Sequence, residues 1–361
     1  MVSSIPSGDQ DGQEGYMRMG GPAMRGHVVV FGELLLRLAA PGHELLLQSP
    51  SLTALFGGAE ANVGVGLAHL GHAVRAISTL PDNALGHACA GELRRHGVGT
   101  DGIRYADGRM GLYFLATGAV TRPSEVIYDR ARSAFAEADP ATYDWQALLA
   151  GADWLHLCGI TPAVSPQAET AARAALQAAH ALGLKISFDC NFRQKLWTAR
   201  GGNAPAILRG FIEQCDLLFA NERDAALLLD LDVDKLDEGA RFPAAAQALF
   251  DACPRLQTIA TTVRSHHSVD QQDFYGKLAT RHSLHQSRTH ALAGIVDRIG
   301  SGDAYAAGLL HGLIRGWEPD RALSFAVAAA ALKHSIPGDA LPLAEADILA
   351  AQDAGGLDVR R

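Results

Sequence analysis

The sequence predicts an α/β protein with a doubly wound, mostly parallel β-sheet flanked by helices. Short apolar runs, typical of strands buried on both faces, alternate with stretches rich in alanine and leucine that are typical of helices. The composition agrees, because 361 residues with 48% hydrophobic residues and 38 glycines suit a large core with many strand-to-helix turns. Ligands of such folds bind at the carboxyl ends of the strands, so functional residues are expected there.

The predicted strands cover residues 28–32, 76–80, 154–158, 185–189, 217–220 and 258–261, with helices between them, for example over 168–182 and 326–333. Residues 33–55 and 108–130 differ, because their short apolar runs lack helical periodicity. These two regions predict strands of a second, small β-sheet. Residues 1–25 are polar and rich in glycine, and we expect a disordered extension followed by one large domain over 26–361.

Charge and cysteine content exclude several classes of protein. The formal net charge is −8, which argues against a nucleic-acid surface, because such surfaces cluster lysine and arginine. No segment approaches the roughly 18 unbroken apolar residues of a membrane span, and the start of the chain lacks the apolar stretch of a secretory signal. The five cysteines are scattered and show no Cys-x-x-Cys spacing. They favour small buried side chains in a reduced, cytoplasmic protein.

A glycine turn late in the chain predicts an anion site. Residues 296–299 predict a strand that stops at Gly300, Ser301 and Gly302, where a helix begins. The first N–H groups of a helix have no partner within it, and with the helix dipole they favour an anion such as phosphate. Asp303 would repel a phosphate that merely binds, but it suits a general base acting on an attacking hydroxyl. The alternative is a tight turn with an ordinary acidic residue in the first helical turn.

A second glycine turn lies early in the chain. Gly57 and Gly58 precede Asn62 and a helix whose apolar residues repeat at helical spacing until Gly71 ends it. This is again a glycine turn that leads into a helix. The pair of turns, in this order, is more specific than either turn alone.

With both turns present, the chain resembles the ribokinase-like (PfkB) family of sugar kinases over about residues 28–343. The resemblance implies a ribokinase-like fold in which the small sheet of residues 33–55 and 108–130 forms a lid over the sugar. It also implies ATP as the phosphoryl donor and Mg²⁺ as the metal ion.

The two turns and the segments after predicted strands supply the candidate site residues. The resemblance places an Asp-x-Asn-x-Arg segment near substrate and phosphates, an Asn-x-x-Glu element near the magnesium-bound nucleotide, and the segment after residues 326–333 beside the adenine. The candidates are Gly300, Ser301, Gly302 and Asp303 for catalysis, Gly57, Gly58, Asn62 and Asp339 for the sugar, Asn191, Asn221, Arg264 and His334 for the nucleotide, and Asp224 for the metal.

Two departures from the family pattern bear on the nucleotide. Asp224 stands where the family has glutamate, one methylene longer, so we assign a role through water to Asp224 or to Glu222. The strand at 258–261 leads to no glycine turn, whereas many family members have one under the nucleotide. The nucleotide loop must therefore have another shape, in which Arg264 is the candidate contact to a phosphate.

The predicted substrate is a sugar acid. Within the family, the segments around Tyr113, Tyr128 and Arg130 look most like those of 2-keto-3-deoxygluconate kinases. These three side chains, together with Arg193, offer the hydroxyls and the guanidinium groups that a small carboxylate needs. We therefore expect transfer of a phosphoryl group from ATP to the primary hydroxyl, O6, of 2-keto-3-deoxygluconate, by a homo-oligomeric enzyme.

Two alternatives stay open. A fructokinase-like or ribokinase-like member of the family would phosphorylate a neutral sugar. A catalytically silent regulator on the same fold would bind sugar without turnover, which the intact Gly-Ser-Gly-Asp segment disfavours. A coupled assay for ADP release separates an active kinase from a silent regulator.

Overall fold

The computed structural model describes residues 26–353 as two β-sheets with helices packed around the larger one. The predicted extension, residues 1–25, lies outside the described residues. Within 26–353, ten strands form the larger sheet and four form the smaller one. The prediction of a doubly wound fold with a second, small sheet is confirmed.

The strands of the described range are β1 (His27–Phe31), β2 (Leu35–Ala39), β3 (Thr53–Gly57), β4 (Ala73–Pro81), β5 (Gly99–Ala106), β6 (Gly111–Ala116), β7 (Glu125–Asp129), β8 (Trp154–Cys158), β9 (Lys185–Asp189), β10 (Leu217–Phe219), β11 (Thr258–His266), β12 (Gln271–Thr280), β13 (Leu284–Gln286) and β14 (His290–Ala293). The α-helices are α1 (Ala59–His69), α2 (Ala84–Arg95), α3 (Trp145–Leu148), α4 (Ile160–Val164), α5 (Pro166–Ala181), α6 (Gln194–Arg200), α7 (Ala204–Ile212), α8 (Glu222–Leu229), α9 (Glu238–Ala252), α10 (Ser301–Ile314), α11 (Pro319–Lys333) and α12 (Glu345–Asp353).

The larger sheet has the strand order β5-β4-β1-β8-β9-β10-β11-β12-β13, with β14 also paired to β12. Neighbours from β5 to β11 are parallel, whereas β12 is antiparallel to β11, β13 and β14. The chain adds β4 and β5 on one side of β1, and β8 to β11 on the other. The strand order therefore reverses between β1 and β8, which is where a doubly wound sheet binds its ligand.

The central strand β1 shows why the apolar runs predicted buried strands. Val28 and Val30 belong to the hydrophobic cluster on one face of the sheet, and Val29 and Phe31 belong to the cluster on the other face. Successive side chains of a strand point to opposite faces, so a strand with helices on both faces must be apolar throughout.

The smaller sheet has the order β3-β2-β6-β7. Strands β2 and β6 are parallel, and the two outer pairs are antiparallel. Its strands come from the two regions, 33–55 and 108–130, that lack helical periodicity, although β3 continues to Gly57. Leu35, Tyr113 and Leu115 are buried on one face of this sheet.

The prediction of a strand at residues 296–299 is wrong. This segment is an irregular loop, because its backbone pairs with another loop and not with a neighbouring strand. The N–H groups of Val296 and Asp297 both donate to the carbonyl of His334, at 2.8 and 3.2 Å. The Asp297 carboxylate in turn accepts from the N–H groups of Ile299 and Gly338, at 3.0 Å each.

All five cysteines are free and buried, as predicted. Among the described helices, none combines the length and the apolar character that crossing a membrane requires.

Candidate active site

One cavity of about 590 Å³ lies between the carboxyl ends of the central strands and the smaller sheet. It collects nearly all of the site residues predicted from the sequence. The residues that line it are Gly58, Asn62, Tyr113, Tyr128, Arg130, Asn191, Arg193, Asn221, Asp224, Arg264, Gly300, Ser301, Gly302, Asp303, His334 and Asp339. Gly57 lies outside this lining, where a Cβ atom would stand 2.4 Å from the Asp339 carboxylate.

The late glycine turn forms the N-terminus of α10. Gly300 caps the helix with φ 78°, in the left-handed region that glycine adopts without steric cost. A Cβ atom there would lie 1.6 Å from the carbonyl oxygen of Asp339, so the close approach of these two backbones requires glycine. Ser301 and Gly302 begin the helix and line the cavity, and the first N–H groups of α10 have no partner within the helix. The turn is therefore suited to hold an anion.

Asp303 lies in the first turn of α10, half-buried at the cavity wall. Its Oδ2 accepts a hydrogen bond of 2.7 Å from the amide of Asn62 on α1. Burial, with the charges of Asp189, Asp339 and Glu60, raises the pKa of the Asp303 carboxyl to about 8, against the lowering effect of the Asn62 hydrogen bond. A carboxylate with such a pKa is a stronger base near neutral pH than an ordinary aspartate.

Two more carboxyl groups in the cavity have raised pKa values. Burial raises the pKa of Glu60 to about 7, although its Oε1 accepts a hydrogen bond from the Thr161 hydroxyl. Burial likewise raises the pKa of Asp189, at the end of β9, to about 7. Position 32 is glycine, and a Cβ there would overlap the Glu60 carboxylate in its present position.

Three arginines lie near the anion turn. Arg264 on β11 donates to the hydroxyl of Ser301 at 3.3 Å, and Arg193 and Arg298 line the same region. Among the described residues, no carboxylate forms an ion pair with any of the three. Burial and the charges of Arg298 and Arg193 lower the pKa of Arg264. Unpaired, mutually repelling guanidinium groups mark an anion subsite.

Arg298 was missed by the sequence reasoning. It lies two residues before Gly300, and its Nη2 donates to the carbonyl of Ser268 at 3.2 Å. Its Nε is buried without a partner among the described residues. The signal was a cation directly before an anion turn, where the family resemblance assigns no residue.

The loops after β9 and β10 complete the phosphate side. Asn191 has φ 37°, which is uncommon for a residue with a side chain, and its N–H donates to Asp189 Oδ1 at 3.0 Å. Asn221 caps α8, and in return Asp224 Oδ2 accepts from the Asn221 N–H at 2.9 Å. Burial raises the pKa of the Asp224 carboxyl. This capping box holds both side chains at the cavity edge.

Strand β11 explains the missing glycine turn. It continues to His266 and pairs with β12 along its whole length, so an antiparallel hairpin replaces the expected turn. Arg264 lies on this hairpin with its guanidinium 5.4 Å from the ring centre of Phe274. His334 is buried nearby, with Nδ1 donating to the carbonyl of Ala330 at 2.7 Å.

The side of the cavity beneath the smaller sheet contains paired charges. Arg130 donates through Nε to Glu33 at 2.7 Å, and both side chains are buried. Glu33 also accepts a hydrogen bond from the Ser133 hydroxyl. The guanidinium of Arg130 lies 5.8 Å from the ring centre of Tyr128. The positive charge of Arg130, a predicted carboxylate ligand, is therefore balanced by Glu33, whereas Arg193 is not paired.

A second buried ion pair connects the smaller sheet to the loops that contain Asp297 and Asp339. Arg37 on β2 donates to Asp339 Oδ1 at 2.7 Å and lies 2.8 Å from Asp297 Oδ2. The Tyr113 hydroxyl on β6 donates to the other oxygen of Asp339. Sequence reasoning missed Glu33 and Arg37, although both are charged residues within an apolar run, which is itself a sign of buried pairing.

A site of this kind belongs to enzymes that transfer a phosphoryl group to an alcohol, because it combines an anion turn, a basic carboxylate and free guanidinium groups. The sequence profile of the pfkB family carbohydrate kinases matches residues 25–346. The chain belongs to this family.

Individual proteins that are similar to this chain are also carbohydrate kinases. A 2-dehydro-3-deoxygalactonokinase of Haloferax volcanii is 33% identical over 88% of this chain and 93% of its own length. A 2-dehydro-3-deoxygluconokinase of Thermoproteus tenax is 29% identical over 87% of this chain and 91% of its own. The crystal structure of 2-dehydro-3-deoxygluconokinase from Thermotoga maritima superposes with a TM-score of 0.86 at 37% identity, covering 91% of this chain and 99% of that one.

Replacing Gly300 by alanine tests the close approach of the anion turn to Asp339. Gly183, which follows the end of α5, is a control, because its φ of 74° is close to the 78° of Gly300 but nothing lies within 4 Å of a Cβ there. We expect Gly183→Ala to lower the free energy of unfolding by about 1–2 kcal/mol, the cost of a side chain in the left-handed region. Gly300→Ala should cost at least about 1–3 kcal/mol more, through overpacking. Urea unfolding measures both, and equal losses would contradict the close approach.

Proposed function

We propose that this protein is an ATP-dependent kinase that phosphorylates the primary hydroxyl, O6, of 2-keto-3-deoxygluconate in the cytoplasm. The observation that carries the proposal is the Asp303 carboxylate, with its pKa raised to about 8, beside the anion turn at Gly300–Gly302. The smaller sheet covers the sugar as a lid, which keeps water from competing with the hydroxyl.

In this mechanism Asp303 takes the proton of the attacking hydroxyl as the hydroxyl oxygen bonds to the γ-phosphorus of ATP. The bond from that phosphorus to the ADP oxygen breaks in line. The N–H groups of Gly300, Ser301 and Gly302 stabilise the charge on the transferring phosphoryl group. Arg264 supplies further positive charge, since it already contacts the Ser301 hydroxyl.

The acidic residues near the phosphate side fit a magnesium ion. Mg²⁺ takes one or two protein carboxylates and keeps several waters. Asp189 and Asp224 both line the cavity, and the charge of Asp224 contributes to the raised pKa of Asp189. Asp224 would act through bound water, because its carboxylate also holds the Asn221 N–H. When bound with ATP, the ion neutralises phosphate charge.

Recognition of a sugar acid rests on Arg193. Its guanidinium faces the cavity, and its one hydrogen bond among the described residues is a long contact of 3.5 Å to the carbonyl of Phe192. Arg130 would orient the hydroxyls together with Tyr128, since Glu33 balances its charge. The names of the relatives favour a 2-keto-3-deoxy acid of either the gluconate or the galactonate series, which differ at one hydroxyl-bearing carbon.

Asparagine at position 303 should remove turnover while ATP still binds. Asp303→Asn keeps the shape of the side chain but cannot accept the proton, and a positioned general base contributes roughly 10²–10⁴-fold to the rate. We expect kcat on the best sugar to fall by that factor, and isothermal titration to show ATP affinity within about threefold of wild type. A variant with near wild-type kcat would exclude Asp303 as the base.

The pH dependence gives a second test of the base. Only the deprotonated carboxylate can accept a proton, so kcat/KM should rise with pH and level off above the pKa of about 8. The Asn62 amide stabilises the ionised form, so Asn62→Ala should move the midpoint to higher pH. Asn83→Ala, at the cap of α2, is the control and should not move it. An unchanged midpoint in Asn62→Ala would contradict the assignment of Asp303 as the base.

Substrate discrimination tests the sugar-acid assignment. Arg193→Ala should reduce kcat/KM for 2-keto-3-deoxygluconate far more than for fructose, because the sugar carboxylate then lacks its cation, at a cost of several kcal/mol. Arg264→Ala is the matched control on the phosphate side and should reduce both values equally. Equal losses in Arg193→Ala would assign Arg193 to the phosphates instead of the sugar carboxylate, and a wild-type preference for fructose or ribose would leave a kinase of neutral sugars. No ADP release with any sugar would favour the silent regulator.

A further inference from the structure

A fully buried lysine lies next to the loop that leads to the anion turn. Lys333, in the last turn of α11, has 0% of its surface exposed. Its ammonium group donates to the carbonyl of Ile336 at 2.9 Å and lies 3.5 Å from the carbonyl of Asp297. The C-terminal end of a helix favours a cation. Even so, an ammonium group that loses its hydration needs compensation from its surroundings.

Two carboxylates provide that compensation, against the repulsion of one guanidinium group. Burial lowers the pKa of Lys333, and the charges of Asp297 and Asp339 oppose this by favouring the ammonium form. Arg37 pairs with the same two carboxylates. Arg37, Asp297, Lys333 and Asp339 are all less than a tenth exposed, so two positive and two negative groups are buried together. None of them belongs to the proposed proton-transfer step.

The lysine joins two loops that must stay in register. The anion loop (residues 295–302) contains the Asp297 carbonyl, and the Asp339 loop (residues 334–340) contains the Ile336 carbonyl. The same loops meet where Gly300 approaches the carbonyl of Asp339. A shift between the loops would displace the first N–H groups of α10.

We infer that Lys333 is a positioning residue for phosphoryl transfer, whose ammonium group holds the anion loop in register with the Asp339 loop. The inference rests on the proposed role of the anion turn. Without the ammonium group, Asp297 and Asp339 share Arg37 alone, which leaves a net negative charge beside the phosphate site. Both effects weaken the stabilisation that the turn provides. The loss is largest in the transition state, where its N–H groups face the largest negative charge.

Methionine at position 333 removes the charge and nearly keeps the length of the side chain. We expect Lys333→Met to lower kcat at least tenfold while KM for the sugar changes less than threefold. Hydrogen exchange of the full chain should show faster amide exchange in the anion loop and the Asp339 loop, with no change in β8. Lys277→Met is the control, because Lys277 is a half-buried lysine on β12 whose ammonium group contacts aromatic rings and lies outside the cavity.

Chemical rescue separates the effect of the Lys333 charge from the effect of its side-chain packing. In Lys333→Ala, the vacated space should admit methylammonium, which restores kcat at least fivefold with saturation. Tetramethylammonium at equal ionic strength is too large and should not rescue. Lys333→Met fills the space and should not respond to either ion. Lys333→Gln, which keeps a donor for the Ile336 carbonyl, replaces the methionine variant if that one does not fold.

A wild-type kcat in Lys333→Met or Lys333→Gln would overturn the inference. Faster exchange spread over the whole domain, or an alanine variant that methylammonium does not rescue, would show a purely structural role and would overturn it too. Failure of the proposed substrate assignment can be distinguished from failure of the inference about Lys333. If the wild type does not phosphorylate sugar acids, kcat is compared on the sugar it does use, and hydrogen exchange needs no substrate.

Discussion

Separation of charge within one cavity is the constraint on which the rest of the structure depends. Burial and the neighbouring carboxyl groups raise the pKa of Asp303, and burial and the neighbouring guanidinium groups lower the pKa of Arg264. If the two sets formed ion pairs, they would neutralise each other, and the site would have neither the proposed base nor free cations. Among the described residues, no carboxylate forms an ion pair with Arg193, Arg264 or Arg298, so their positive charges stay available to an anion.

Buried ion pairs hold the smaller sheet over this cavity. Arg37 and Glu33 interrupt an apolar segment, and each is paired across the cavity wall, with Asp339 and Arg130 respectively. Buried pairs of this kind add little net stability, because desolvation offsets the attraction, but breaking one is strongly unfavourable. They therefore specify where the smaller sheet lies. Asp339 also belongs to the loop that contacts Gly300, so the smaller sheet and the anion turn share a support.

Close backbone approaches set the remaining positions. Gly300 contacts the Asp339 carbonyl, and Gly32 leaves room for the Glu60 carboxylate. At both places a methyl group would overlap a neighbouring atom. Each of these two glycines thus marks a point where two segments meet, and the site is built at such points.

The sequence alone determined the architecture and most of the site, because these depend on local patterns. Apolar runs with both faces buried predicted the strands of the larger sheet, and the two glycine turns predicted Asp303 and Asn62 as site residues. Only the tertiary structure decided which residues form hydrogen bonds and ion pairs with the site residues. Asn62 bonds Asp303 across 241 residues and Arg37 bonds Asp339 across 302, distances over which periodicity and propensity have no influence. For the same reason the loop at 296–299, the unpaired Arg298 and the burial of Lys333 were not visible in the sequence: each depends on which distant segment supplies the hydrogen-bond partner or the compensating charge.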